Sequence, residues 1–80
     1  MTEEELKKVP FTFNSHLSME HEHCTSYVAL GGRLGFCDHV PYRDGEPRGR
    51  GYRHYMIDGK VYKKKEKFIE ALRDFDPDKK

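Results

Sequence analysis

Residues 24–40 read CTSYVALGGRLGFCDHV, and the glycine pair at their centre, Gly31-Gly32, decides how the chain folds. Glycine tolerates the positive φ values that tight hairpin turns require, so the stretch is predicted to double back as a β-hairpin with Gly31-Gly32 as its turn. A two-residue turn fixes the pairing. Side chains alternate along each strand, so Tyr27, Ala29, Leu34, Phe36 and Val40 are expected on one face, and Cys24, Val28, Leu30, Cys37 and His39 on the other.

That parity brings potential metal ligands together. Zinc is commonly held by four Cys or His ligands in tetrahedral geometry. Cys24, Cys37 and His39 would supply three of them, with His21, His23 or His54 as the fourth. The spacing has neither a Cys-x-x-Cys knuckle nor a His-x-x-x-His helix. The competing expectation is that both cysteines are small buried hydrophobes, with no cofactor. His23 should face away from Cys24, because neighbours in a strand point to opposite faces.

Catalytic chemistry finds little support in these residues. His21-Glu22-His23 would put two imidazoles on one side of a strand, but no carboxylate stands at a supporting position. Cys37 and His39 would share a face, yet no third group orients the pair and no oxyanion donor is visible. The chain is therefore expected not to be an enzyme.

Outward from the hairpin, the elements are short. Thr2-Glu3-Glu4-Glu5 fits a capping box, and Pro10 pushes Val9 out of helical dihedrals, so a first helix should end near Lys8 within the acidic segment 1–9. Phe11 and Phe13 alternate with Thr12 and Asn14, which predicts a strand with its phenylalanines inward. A second hairpin is expected across Asp58-Gly59, with Tyr55 facing Tyr62 and Met56 facing Val61. Residues 41–51 hold Asp44-Gly45, Glu46-Pro47 and two Arg-Gly steps, and read as an exposed loop. Phe68, Ile69, Leu72 and Phe75 fall on one helical stripe, predicting an amphipathic helix over residues 64–74 and a polar tail over 76–80.

The expected fold is thus one small α+β domain over residues 1–80: an antiparallel sheet of about four or five strands, with the C-terminal helix packed on one face. Phe11, Phe13, Tyr27, Leu34, Phe36, Met56, Val61, Phe68, Ile69, Leu72 and Phe75 are the expected core. With 80 residues there is room for only one core, and 36% charged residues leave its large packing units to five Phe and five Tyr. No stretch approaches the ~20 apolar residues needed to span a bilayer, and residues 1–8 lack the basic start and apolar run of a signal peptide. A cytoplasmic location without a membrane partner is expected.

The net charge of +1 conceals an uneven distribution. Glutamates dominate up to Cys24, whereas basic residues outnumber acidic ones over residues 43–67. Arg43, Arg48, Arg50, Tyr52 and Arg53 are the candidate partner-binding residues, since Arg and Tyr are enriched where proteins meet. The expected function is a non-catalytic protein-binding module, of the kind that a phage or mobile element uses to inhibit a host defence complex, as an anti-CRISPR protein does. Two alternatives stand beside it: a nucleic-acid-binding domain using the basic loop of residues 43–53, and a zinc-stabilised domain.

Overall fold

A computed structural model describes residues 1–78; Lys79 and Lys80 of the expected polar tail lie outside the described residues. The elements run α1 (Glu3–Lys7), β1 (Thr12–Ser18), β2 (Glu22–Ala29), β3 (Leu34–Arg43), β4 (Glu46–Pro47), β5 (Tyr52–Ile57), β6 (Lys60–Tyr62) and α2 (Lys65–Leu72). All strand pairs are antiparallel. The sheet order is β1-β2-β3-β5-β6, with the two-residue β4 also pairing β3. The α+β architecture agrees with expectation, but the sheet has six strands rather than four or five.

Two turns set the registers. At Leu30–Gly32 the chain makes one 3-10 turn, with φ of 53° at Leu30, 66° at Gly31 and 89° at Gly32. This leaves β2 and β3 paired as Ala29 with Leu34, Tyr27 with Phe36 and Cys24 with His39. Leu30 belongs to the turn rather than to the Cys24 face. Asp58 and Gly59, at φ 47° and 85°, make the second turn, and Tyr55 pairs with Tyr62 and Met56 with Val61 as expected.

Residues 41–51 are less of a loop than their composition suggests. Pro41, Tyr42 and Arg43 continue β3, and Asp44-Gly45, at φ 54° and 78°, turns the chain back so that Arg43 pairs with Glu46. The same Asp-Gly chemistry that closes the β5–β6 hairpin therefore operates here. Past β4 the chain returns through Gly51, where a Cβ would stand 2.6 Å from the His39 carbonyl oxygen, so only glycine lets β5 approach β3 this closely.

Both helices lie on one face of the sheet. α2 buries Phe68 and Leu72 against Leu34 and Ile57, Phe75 closes the cluster, and the Tyr55 ring stacks on Phe68 at 4.5 Å. α1 begins with the expected capping box: Glu5 N–H donates to Thr2 Oγ1 at 3.1 Å, and Thr2 N–H donates to the Glu5 carboxylate at 3.0 Å. It brings Leu6 to the same core, beside Phe11, whose ring meets Phe36 edge-on at 5.0 Å. Leu34, Phe68, Leu72 and Phe75 are buried as expected.

Three expected core residues stand elsewhere. Phe13 is 62% exposed, since β1 is the edge strand on the side away from α2, where its ring meets Tyr27 edge-on. Met56 and Val61 pair across β5 and β6 on the face that α2 does not cover, and Val61 is 57% exposed. Tyr55 and Met56 are sequence neighbours in a strand, so one helix cannot cover both.

Candidate binding face and its thiol-imidazole cluster

The registers assign every strand residue to a face. Opposite the helices stand Thr12, Ser15 and Leu17 of β1, and Glu22, Cys24, Ser26 and Val28 of β2. Gly35, Cys37, His39 and Pro41 of β3 join them, followed by Tyr52, His54 and Met56 of β5 and Val61 of β6. Glu22 is the only formally charged residue of this set, and none is Lys or Arg. Among the described residues no helix packs on this face.

Two kinds of surface occupy it. Toward the β5–β6 turn, Val28, Met56 and Val61 form an apolar patch. Met56 lies across Gly35, its Cε 3.1 Å from where a Cβ on that residue would stand, and Val28 closes in from the other side. Cys37, His54, Val28, Met56 and Val61 line a hollow of about 310 Å³. On the β1 side, hydroxyls take over: Ser15 and Ser26 are 2.7 Å apart, and Asn14, at the register shift of β1, donates to Ser26.

The centre of the face holds the cluster that strand parity predicted. Ligand atoms of Cys24, Cys37 and His39 all lie within 4.8 Å of one another, and Cys24 Sγ is 3.0 Å from His39 Nδ1. The His39 ring is held by its neighbours, stacked on Tyr52 at 4.6 Å and nearly parallel to it, with His54 at 4.6 Å on a tilt. Glu22 stands beside this group. Its Oε1 lies 3.2 Å from His39 Nδ1 and accepts a short hydrogen bond from the Tyr52 hydroxyl.

These contacts set the protonation of the group. The Tyr52 hydroxyl stabilises the Glu22 carboxylate and holds its pKa below the usual value, and the same contact pushes the Tyr52 phenol up. Burial pushes both thiols up, with the Glu22 charge adding at Cys24 and the Asp38 charge at Cys37. Burial, with His39 alongside, holds His54 below the ordinary imidazole value. Thiols shifted upward are protonated at neutral pH, the opposite of what an activated nucleophile needs.

Of the three expected candidates for a fourth ligand, His21 and His23 are in the wrong place. His21 is exposed beyond the start of β2, and His23 stands on the opposite face, stacked on Tyr42 at 3.7 Å. His54 is on the correct face, opposite Cys37. Sequence reasoning missed Glu22, although it lies two residues before Cys24 in β2 and strand parity puts both on one face.

The expected partner-binding residues do not converge. Tyr52 belongs to the uncovered face, whereas Arg53 points to the helix-bearing one, bonded to both Asp38 oxygens at 2.6 and 3.1 Å with its guanidinium 4.2 Å over Phe36. Arg43, Arg48 and Arg50 are exposed around β4, with Arg48 3.8 Å from Glu46. Comparison of the chain with protein-family models, curated proteins and solved structures finds no match. No helix among the described residues is long and apolar enough to cross a membrane.

Proposed function

We propose that this domain is a non-catalytic module that binds another protein through the uncovered face of its sheet. One observation carries the reading: in a chain with 36% charged residues, the strand positions of that face hold one carboxylate and no Lys or Arg. The central parts of protein interfaces are depleted in charge and enriched in Tyr and Met, both present here as Tyr52 and Met56. Leu17 at 58% exposure and Val61 at 57% give the two margins apolar contacts. A solvated antiparallel face is instead ordinarily polar. The matching partner surface is apolar and weakly charged, with hydroxyl or amide groups to meet Ser15, Ser26 and His54.

This moves the site away from the arginines that composition singled out. A nucleic-acid reading requires basic groups on one surface, and Arg53 is divided from Arg48 and Arg50 by its pairing with Asp38. The narrower expectation, a phage-borne inhibitor of a host defence complex, draws on chain size and on no residue of this face.

The test compares charge placed on the face with charge reversed at the loop. Nuclease-treated extract of the source organism is passed over the immobilised domain, with Leu17→Lys and Val61→Lys set against Arg48→Glu and Arg50→Glu. The proposal expects a discrete protein retained by the wild type and the loop variants but lost from the face variants. The reverse pattern would place the site on the loop. Retention that vanishes with nuclease and falls steeply with salt would make nucleic acid the partner. A concentration-dependent doubling of mass in light scattering, lost in Val61→Lys, would make the occupant a second copy of the chain.

A further inference from the structure

We propose that Cys24, Cys37, His39 and Glu22 form a zinc site, with Glu22 as the fourth ligand and Tyr52 as the residue that positions it. The inference does not rest on the protein-binding reading. Two thiols and one imidazole nitrogen converge from two stretches, one in β2 and one in β3, that only the hairpin brings together, and the Glu22 carboxylate stands beside the imidazole. The ring nitrogen involved is Nδ1, which lies 3.0 Å from Cys24 Sγ and 3.2 Å from Glu22 Oε1.

The dimensions suit zinc. With Zn–S about 2.3 Å and Zn–N about 2.0–2.1 Å, a tetrahedral site sets sulfur and nitrogen roughly 3.5 Å apart and nitrogen and oxygen roughly 3.3 Å apart. The sulfur–nitrogen distance must therefore open by about half an ångström, while the nitrogen–oxygen distance is already close. Thiolate with imidazole selects zinc over the hard cations magnesium and calcium. On binding, each thiol releases its proton to solvent and the resulting thiolate lone pair goes to the metal, whose positive charge favours that deprotonation.

The surroundings have the form of a supporting shell. Tyr52 stacks on the His39 ring and donates its hydroxyl to Glu22, fixing the orientation of two ligands with one side chain. His54 stands beside His39 and, like Glu22, lies outside the three ligand atoms that are within 4.8 Å of one another, but only Glu22 reaches the same ring nitrogen, at 3.2 Å. His54 is the natural competitor for the fourth position.

The test uses the full chain, purified without a histidine tag and under reductant. Elemental analysis should find one zinc per chain, and chelator should lower the melting temperature. Cobalt(II) added to the metal-free protein should give thiolate-to-metal absorption in the near ultraviolet and the visible bands of tetrahedral cobalt. Cys37→Ser should lose the thiolate band's intensity. Glu22→Gln should bind cobalt at least about tenfold more weakly, and Tyr52→Phe about tenfold more weakly with the spectrum retained; His54→Ala should bind as the wild type does. Circular dichroism of each metal-free variant establishes that it is folded before titration. Absence of stoichiometric zinc together with no cobalt spectrum in the folded protein would overturn the site. A wild-type response in Glu22→Gln with loss in His54→Ala would overturn the ligand assignment.

Discussion

Leu34 and Gly35 are neighbours in β3 and stand on opposite sides of the same sheet. The Leu34 side chain has no solvent exposure beneath α2, while Gly35 leaves room for Met56 to lie across a face that no helix covers. The covered side is aliphatic and aromatic, closed by Phe68, Leu72 and Phe75. The uncovered side gathers cysteine, histidine, serine and tyrosine around a few apolar groups. Stability is concentrated on one face of a five-strand path, which leaves the other free to carry chemistry that a core would not tolerate. Buried polar groups demand partners, but on the open face Cys24, His39 and Glu22 find them in one another.

Truncations on the two sides should separate this division most sharply. Leu72→Ala or Leu34→Ala removes a fully buried side chain and should cost about 2–5 kcal/mol in chemical denaturation, a large share of the stability of a domain this small. Val61→Ser and Leu17→Ser, on the open face, should remain within about 0.5 kcal/mol of wild type. Equal losses on both sides would mean that the open face is part of the core.

The capping box of α1 gives an intermediate effect on the covered side. Thr2→Ala removes the hydroxyl that accepts from Glu5 N–H and should cost about 1 kcal/mol. Thermal melts showing no change would mean that the cap contributes nothing to the stability of the fold.

A smaller, pH-dependent effect is expected where Arg33 ties the β5–β6 turn to the helix side. Arg33 Nε bonds Asp58 at 2.9 Å, and its guanidinium lies 4.5 Å over the Phe75 ring. That pairing holds the Asp58 carboxyl below its ordinary value of 3.8. The folded pKa being the lower one, the stabilisation is fully present above the ordinary value and is lost as pH falls through the folded one. Asp58→Asn keeps an Asn-Gly turn of the same type, so it should melt slightly below wild type at neutral pH, with the gap closing on acidification. A gap independent of pH would assign the loss to the turn rather than to the ion pair.

Much of this arrangement was legible in the sequence, because glycine-containing turns fix registers and registers fix faces. Gly31-Gly32 placed Cys24 opposite His39, and Asp58-Gly59 placed Met56 opposite Val61. Asp44-Gly45 carries the same turn signal for β4, but the neighbouring Pro47 and Arg-Gly steps, themselves loop signals, mask it. Alternation states which residues share a face, not which face a helix will cover. Val28, Met56 and Val61 form an apolar set comparable in sequence to Leu34, Phe36 and Ile57, and this is why Met56 and Val61 were expected in the core. The carboxylate beside the central cluster is hidden differently. Glu22 has its meaning only once Tyr52 arrives from β5, a contact across 30 residues that no local pattern reports.

On the proposed function, the uncovered face, and not the arginine loop, meets the partner. Site-specific photocrosslinking reads this directly, with a photoreactive side chain placed in turn at Leu17, Val61 and Arg48 in otherwise unaltered protein exposed to its native cellular extract. The account expects one discrete protein adduct from Leu17 and Val61 and none from Arg48. An adduct from Arg48 alone, with Leu17 and Val61 silent in folded protein, would contradict it.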